Sequence, residues 1–317
     1  MELKTATSRG AASAPPNTGG RWGIWLRLTR PHTLTASFVP VAIGSAFALP
    51  HGQLRVSLFL AMLAASMLLQ AATNMYNEYY DFRCGLDNAG SVGISGTLVR
   101  EGVTPETVLA LARLTVAAAF LLGLYLCQQT SWWLLPVGLA GAAVGYFYSG
   151  GPYPLSATPF GEIFSGGTMG IIIIAVAFFI QTGFISAAAV LVSVPSAILI
   201  GAILLSNNIR DLDGDKLHGR RTLAILIGRG PATALLAAMF ALADLWVVAL
   251  WLAGIVGPWA LLALASLPKQ LQAVRGFRGG GSAPAELMPA MVATAQTNTL
   301  FGLLFAAGLL VQHLFAR

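Results

Sequence analysis

Charge is the scarcest commodity in this 317-residue chain: only 9% of its side chains are Asp, Glu, Lys or Arg, where a soluble domain carries about 25%. The deficit is uneven. From Leu114 to Ile209, 96 residues, Glu162 is the sole formal charge. A soluble fold with 56% hydrophobic residues and a mean hydropathy of +0.74 would expose too much apolar surface to water, which argues against a large soluble helical protein. Cysteine is scarce as well. Cys84 and Cys127 give neither a disulfide framework nor metal-ligand spacing. The opening segment MELKTATSRGAASAPPNTGG lacks the continuous apolar stretch of a secretory signal. Rich in Ala, Ser, Gly and Pro, residues 1–20 read as a disordered tail, and 21–317 as a single transmembrane domain. The net charge of +6 asks for no nucleic-acid partner. In so apolar a chain it reports which loops face the cytoplasm.

What the chain has in abundance is long apolar runs. Stretches of 18 or more recur, each long enough to cross a hydrocarbon core of about 30 Å. They predict an all-α integral membrane protein with about nine transmembrane helices, near 33–50, 56–80, 107–128, 132–149, 164–182, 186–208, 231–251, 257–275 and 289–314. The eighth is interrupted by Pro268 and Lys269. Basic residues alternate between connections. Arg21, Arg27 and Arg30 precede the first helix, and Arg83 and Arg100 follow the second. Arg210, Lys216, Arg220, Arg221 and Arg229 follow the sixth, and Lys269, Arg275 and Arg278 the eighth. The connections after the third, fifth and seventh helices carry none, and the one after the first has only His51 and Arg55. The positive-inside rule therefore places the N-terminus and the loops after helices two, four, six and eight in the cytoplasm of a multi-pass cell-membrane protein. An odd count sends the C-terminus outside. Trp132, Trp133 and Trp259 fall near the outer boundary, as interfacial anchors do.

The few charges that remain are gathered. SNNIRDLDGDKLHGRRTLA, Ser206 to Ala224, holds seven of the thirty formally charged side chains. Its counterpart NMYNEYYDFRCGLD begins at Asn74, at the end of the second helix. Both contain Asn-x-x-x-Asp, as Asn77/Asp81 and Asn207/Asp211, with a further acid beyond at Asp87 or Asp215. Positions i and i+4 share a helix face, so each motif presents an amide oxygen beside a carboxylate. Such hard oxygen ligands suit Mg²⁺, which bridges to substrate phosphates. The interleaved Arg83, Arg210, Lys216, Arg220 and Arg221 are residue types that grip phosphate oxygens. Charges in loops are ordinarily just solvated, and Asp213 reads that way. Two matching clusters at equivalent helix ends on one face read instead as two halves of a metal–diphosphate clamp.

At these residues the chain resembles the UbiA-type intramembrane prenyltransferases, marked by two Asp-rich motifs after helices two and six. The nearer resemblance is to their 1,4-dihydroxy-2-naphthoate branch. It runs from Arg27 to Phe315 and is carried by LTRPHTLTASFVPV (28–41), NEYYDFRCGLD (77–87), SVGISGTLVREG (91–102), SGGPYPLSATPFGEIFSG (149–166), SNNIRDLDGDKLHGRRTLAILIG (206–228) and AQTNTLFG (295–302). The resemblance implies a helical bundle around a central cavity open to lipid. It also implies Mg²⁺-dependent transfer of a polyprenyl group from its diphosphate to 1,4-dihydroxy-2-naphthoate, with loss of CO₂ and diphosphate. Two positions depart from the wider family: Glu78 stands where Asp is usual, and Gly85 where a final acid is usual. Asp87 is the expected replacement.

The expected assignments follow. Asp81, Asp211 and Asp215 form the catalytic acids. They hold Mg²⁺ together with Asn77, Asp87, Asn207 and Asn208. Arg83, Arg210, Lys216 and Arg221 bind diphosphate. His32, Tyr148 and Glu162 are candidates for the acceptor, each beside a bland alternative. His32 also fits an interfacial residue closing the first helix, Tyr148 an aromatic belt, and Glu162 a partner for the dipole at its own helix N-terminus. Two rivals stand: a related prenyltransferase acting on 4-hydroxybenzoate or homogentisate, and a polytopic transporter. Transporter sites lie near the bilayer midplane rather than at helix ends.

Overall fold

Among the described residues of the computed structural model, six helices are long and apolar enough to cross a membrane. The described residues are 21–31, 33–85, 97–100, 102–279 and 281–315; the 1–20 tail, His32 and Asp87 lie outside them. In chain order the principal helices are α1 (Arg21–Thr29), α2 (Thr35–Ala48), α3 (Val56–Arg83), α4 (Pro105–Gln129), α5 (Leu134–Ser149), α6 (Gly161–Thr182), α7 (Ala187–Arg210), α8 (Leu212–Leu217), α9 (Arg229–Leu252), α10 (Leu267–Gly279) and α11 (Pro284–Phe315). The six long spans are α3, α4, α6, α7, α9 and α11. Two shorter apolar helices, Thr35–His51 and Leu134–Ser149, coincide with the expected first and fourth crossings. The expected eighth crossing is broken: a 3₁₀ stretch, Pro258–Ser266, leads into α10, and Pro268 lies in the first turn of the new helix. Proline fits there because the missing N–H would have no intrahelical partner.

Helix ends are set by local chemistry. The Thr104 and Ser186 side chains accept from Thr107 N and Ala189 N, starting α4 and α7. Gly183, at φ 82°, ends α6 in a left-handed turn that favours glycine. Length then places the acid motifs. α3 has 28 residues, about 42 Å at 1.5 Å per residue. Roughly 20 residues span the hydrocarbon, so its C-terminal turns, Asn77 to Arg83, emerge at the interface. α7 ends likewise at Arg210.

Packing brings those ends together. α3 and α4 are antiparallel neighbours: Ala72, Met75 and Tyr76 near the end of α3 cluster with Val108 and Ala112 near the start of α4. α6 and α7 approach unusually closely. A Cβ added at Gly166 would lie 2.4 Å from the Ala197 carbonyl oxygen, and one at Gly170 would lie 2.3 Å from the Ala197 Cα. Small residues one turn apart permit backbone contact between membrane helices, where dispersion replaces hydrophobic burial as the driving force. The largest apolar core joins α2, α7, α9 and α11, with Phe240, Phe301 and Phe305 buried in it. On the other side α3 to α7 wall a cavity of about 660 Å³. Trp132, Trp133 and Trp259 are exposed, as boundary anchors require.

Candidate active site

The cavity is apolar along most of its length and polar at one end. Its wall there carries Asn77 and Asp81 from α3, Asn207, Asn208 and Arg210 from α7, Asp211 and Asp215 around α8, and Arg30 and Arg220. The two motifs, 134 residues apart when Asp81 is compared with Asp215, therefore share one chamber.

Arg220 joins them. Its Nη2 donates to Asp81 Oδ1 at 2.7 Å and its Nη1 to Asp215 Oδ1 at 3.3 Å. One guanidinium thus bridges a carboxylate from each motif, all three side chains being less than one-fifth exposed. Burial pushes the Asp215 carboxyl up to about 6; Arg220 opposes the shift, and the neighbouring Asp211 and Asp81 carboxylates add to it. Burial works against the charge on Arg220, yet Asp81 and Asp215 outweigh it and raise its pKa above the ordinary arginine value.

Arg30 organises the first motif. It is the one described non-glycine residue with positive φ, 48°, a conformation that costs energy in a residue with a Cβ. Its Nη1 donates to Asn77 Oδ1 at 2.8 Å and its Nη2 to Glu78 Oε2 at 3.1 Å. Asn77 in turn donates through Nδ2 to Ser149 Oγ at 3.1 Å. One turn earlier, Asn74 Nδ2 donates to Thr29 O and to Thr33 Oγ1, both at 2.8 Å. Glu78 faces away from the chamber. Its Oε1 accepts from the backbone N–H groups of Thr97 and Leu98, at the start of the short helix Thr97–Arg100. With its side chain 2% exposed, it is a structural anion: removing one member of such a buried pair costs about 3–5 kcal/mol.

In the second motif Arg210 forks onto Asp211. Nε donates to Oδ1 at 2.7 Å, and Nη2 pairs with Oδ2. Asn208 Nδ2 donates to Glu162 Oε1 at 2.9 Å, while Glu162 Oε2 is buried without a hydrogen-bond partner among the described residues. Glu162 begins α6, as the sequence indicated, but stands behind Asn208 rather than on the cavity wall. Tyr148 is on that wall. Asp213 is mostly exposed and pairs with Arg229 at 2.9 Å, in keeping with a solvated acid.

Three expected phosphate-binding residues are not brought to the wall. Arg83 is exposed and donates to Tyr79 Oη at 3.2 Å; Lys216 in the last turn of α8 and Arg221 beyond it are also exposed. Sequence reasoning undervalued Arg220 and gave no site role to Arg30 or to Arg113, a cavity-wall residue of α4. The available signal for Arg113 was its position inside an apolar helix whose one other charge, Glu106, lies in the first turn.

Among the described residues no three His, Cys, Asp or Glu side chains are clustered closely enough to form a metal cage. The donor set nevertheless fits Mg²⁺, which takes one or two carboxylates, retains waters and completes its shell with substrate phosphates. Asp81, Asp211, Asp215 and the amide oxygens of Asn77 and Asn207 supply oxygen ligands of that kind.

The UbiA prenyltransferase family model matches residues 37–279. The chain belongs to the UbiA prenyltransferase family. It is 50% identical over 307 residues to the 1,4-dihydroxy-2-naphthoate octaprenyltransferase of Bacillus subtilis (strain 168), covering 97% of this chain and 98% of that one. The protein of the same name from Mycobacterium tuberculosis H37Rv is 29% identical over 291 residues, covering 90% and 96%. The fold recurs in solved structures. An apo UbiA homologue from Aeropyrum pernix K1 superposes with a TM-score of 0.67 at 19% identity, covering 89% of this chain and 98% of that one. A UbiA homologue from Archaeoglobus fulgidus bound to GPP and Mg²⁺ gives 0.60 at 16%, covering 89% and 99%. This UbiA-family chain is thus a multi-pass membrane prenyltransferase, and the transporter reading falls away.

Proposed function

We propose that this protein transfers a polyprenyl group from its diphosphate to 1,4-dihydroxy-2-naphthoate, releasing CO₂ and diphosphate and forming demethylmenaquinol. The observation that carries the chemistry is the meeting of both acid motifs around Arg220 at the polar end of an apolar cavity. The choice of acceptor is supported by the identity to the Bacillus subtilis naphthoate enzyme across nearly both chains, which favours this branch over 4-hydroxybenzoate or homogentisate.

In this reading Asp81, Asp211 and Asp215 hold Mg²⁺, with Asn77 and Asn207 as amide ligands. Bound there, the ion would neutralise charge developing on the departing diphosphate. Asp87 belongs to the same motif and completes the ligand set as an expectation from sequence. Asn208 and Glu162 support α7 beside these ligands. Arg210 and Arg220 contact the diphosphate oxygens, in place of Arg83, Lys216 and Arg221, which do not line the cavity. The prenyl chain lies along the apolar part of the cavity, where Leu69, Phe120, Leu124 and Ile173 form the wall. That wall keeps water from the allylic carbon as its bond to oxygen breaks. The ring carbon bearing the carboxylate attacks, forming the new C–C bond. The C–CO₂ bond then breaks and its electron pair restores the aromatic ring, so no base need remove a proton from carbon. Tyr148 on the wall faces the acceptor, and His32 is an acceptor residue expected from the sequence alone. The active-site end lies toward the cytoplasm, by the distribution of basic residues.

Purified protein in detergent tests this directly. With a polyprenyl diphosphate and Mg²⁺ it should prenylate 1,4-dihydroxy-2-naphthoate and release CO₂. Chelation should stop the reaction. Asp81→Asn and Asp215→Asn should each lower turnover by about 10²-fold or more at saturating Mg²⁺. Near-normal turnover in either variant would remove these residues from the reaction. Prenylation of 4-hydroxybenzoate alone would keep the clamp and overturn the acceptor.

A further inference from the structure

Among the described residues four cations line the cavity: Arg30, Arg113, Arg210 and Arg220. Three are occupied. Arg30 is held by Asn77 and Glu78, Arg210 by Asp211, and Arg220 by Asp81 and Asp215. Arg113 alone makes no hydrogen bond or ion pair among the described residues, and its side chain is exposed. It stands eight residues after Pro105, about 12 Å along α4. An arginine inside a membrane helix is costly and by default marks a functional site.

Its surroundings define what it faces. Ala112, beside it, clusters with Ala72, Met75 and Tyr76 of α3, so Arg113 stands roughly one to two turns outward of Asn77 and Asp81. Side chains on a helix lean toward its N-terminus, which for α4 is the end nearest the acid motifs. On α5, Gly145 closes against Thr73 Oγ1, 2.7 Å from where a Cβ would sit. That contact fixes the level at which α5 presents Gly141, Ala142 and Gly145 to the cavity. A Cβ at Gly141 would meet nothing within 4 Å. The result is an open slot with small residues on one wall, Val116, Ala117 and Phe120 on the other, and a free guanidinium beside it.

We infer that Arg113 is the receptor for the carboxylate of an aromatic acid, docking the acceptor in the slot between α4 and α5. This rests on the acceptor proposed above. Donor diphosphate and acceptor carboxylate are like charges that must enter one apolar cavity, and an unpaired carboxylate there carries a large desolvation cost. The clamp cations are tied to clamp acids, so the acceptor needs a cation of its own. A guanidinium matches a carboxylate by two parallel N–H···O bonds. When the carboxylate departs as CO₂, the neutral product loses its hold on Arg113 and is free to move into lipid.

The test is binding of two non-reacting ligands to the full-length protein in phosphatidylcholine nanodiscs: 1-hydroxy-2-naphthoate, which keeps the carboxylate, and 1-naphthol, which lacks it. Arg113→Gln should weaken the naphthoate by about 10- to 100-fold, the range for a hydrogen-bonded charge pair. Naphthol affinity should stay within about twofold, since it never used the pair. Arg113→Lys should recover part of the loss, and Mn²⁺ binding should be unchanged. Equal weakening of both ligands, or no weakening of either, overturns the inference. So does an effect of Arg113→Gln seen only as a changed melting point on adding phosphatidylglycerol, which would assign Arg113 to a lipid phosphate. Failure of the proposed function reads differently: wild-type protein would then show no preference for the naphthoate over naphthol and no prenylation of 1,4-dihydroxy-2-naphthoate.

Discussion

At Asp81 Oδ1 and Asp215 Oδ1 a guanidinium already sits where a divalent cation would need oxygen. The two cannot hold the same lone pairs, so metal affinity at this site includes the work of moving Arg220 aside. Diphosphate lowers that work by giving Arg220 new oxygens. Replacing Arg220 with Met should therefore tighten Mn²⁺ binding in the absence of diphosphate by about tenfold, the scale of one lost charge-assisted bond. The same variant should raise the KM for the prenyl donor. Titration of Mn²⁺ by electron paramagnetic resonance, with and without inorganic diphosphate, reads both effects. A wild-type affinity in Arg220→Met would mean that the guanidinium and the metal do not compete. Arg220 is legible in the sequence only as one basic residue among several near the second motif. What singles it out is a contact with the first motif, and no local pattern reports a pairing across 139 residues. Asn77 and Asp81 are legible for the opposite reason, since their four-residue spacing lies within one helix.

Elements divide along the same line. The apolar runs mark the helices to within a few residues, because a membrane core demands a minimum apolar length and the caps at Thr104 and Ser186 obey local rules. The break in the eighth crossing is foreshadowed by Pro268. The run GIIIIAVAFFI at 170–180, by contrast, reads as featureless packing or lipid-facing surface. Its first residue, with Gly166, proves to be where α6 and α7 touch backbone to backbone. Only the partner helix gives that spacing meaning. Gly170→Ala should already lower the melting temperature in detergent, and Gly170→Leu more so, since neither Cβ has room beside Ala197. Gly167→Ala meets nothing within 4 Å and should be close to neutral. If all three variants melt together, the α6–α7 contact does not set the stability of the bundle.

At the scale of the whole molecule, the acid chamber is made by two segments that lie far apart in the chain and meet through Arg220. Translation runs at about 5–20 residues per second, so a stretch of 139 residues takes roughly 7–28 s. During that interval Asp81 has reached the bilayer, and the arginine that will neutralise it has not been made. The young N-terminal half then holds Asp81 near the charge of Arg30 but without its ion-pair partner, which is still to be synthesised. This half-made enzyme should be open to quality-control proteolysis, and it should be rescued by its missing half supplied separately. Cutting the chain between Thr130 and Ser131, in the short turn between α4 and α5, and expressing 1–130 with 131–317 should let each fragment protect the other from degradation. Each expressed alone should be short-lived, as pulse–chase labelling would show. With Asp81→Asn in the first fragment, mutual protection should weaken, tying the survival of the nascent chain to the same ion pair that closes the finished site.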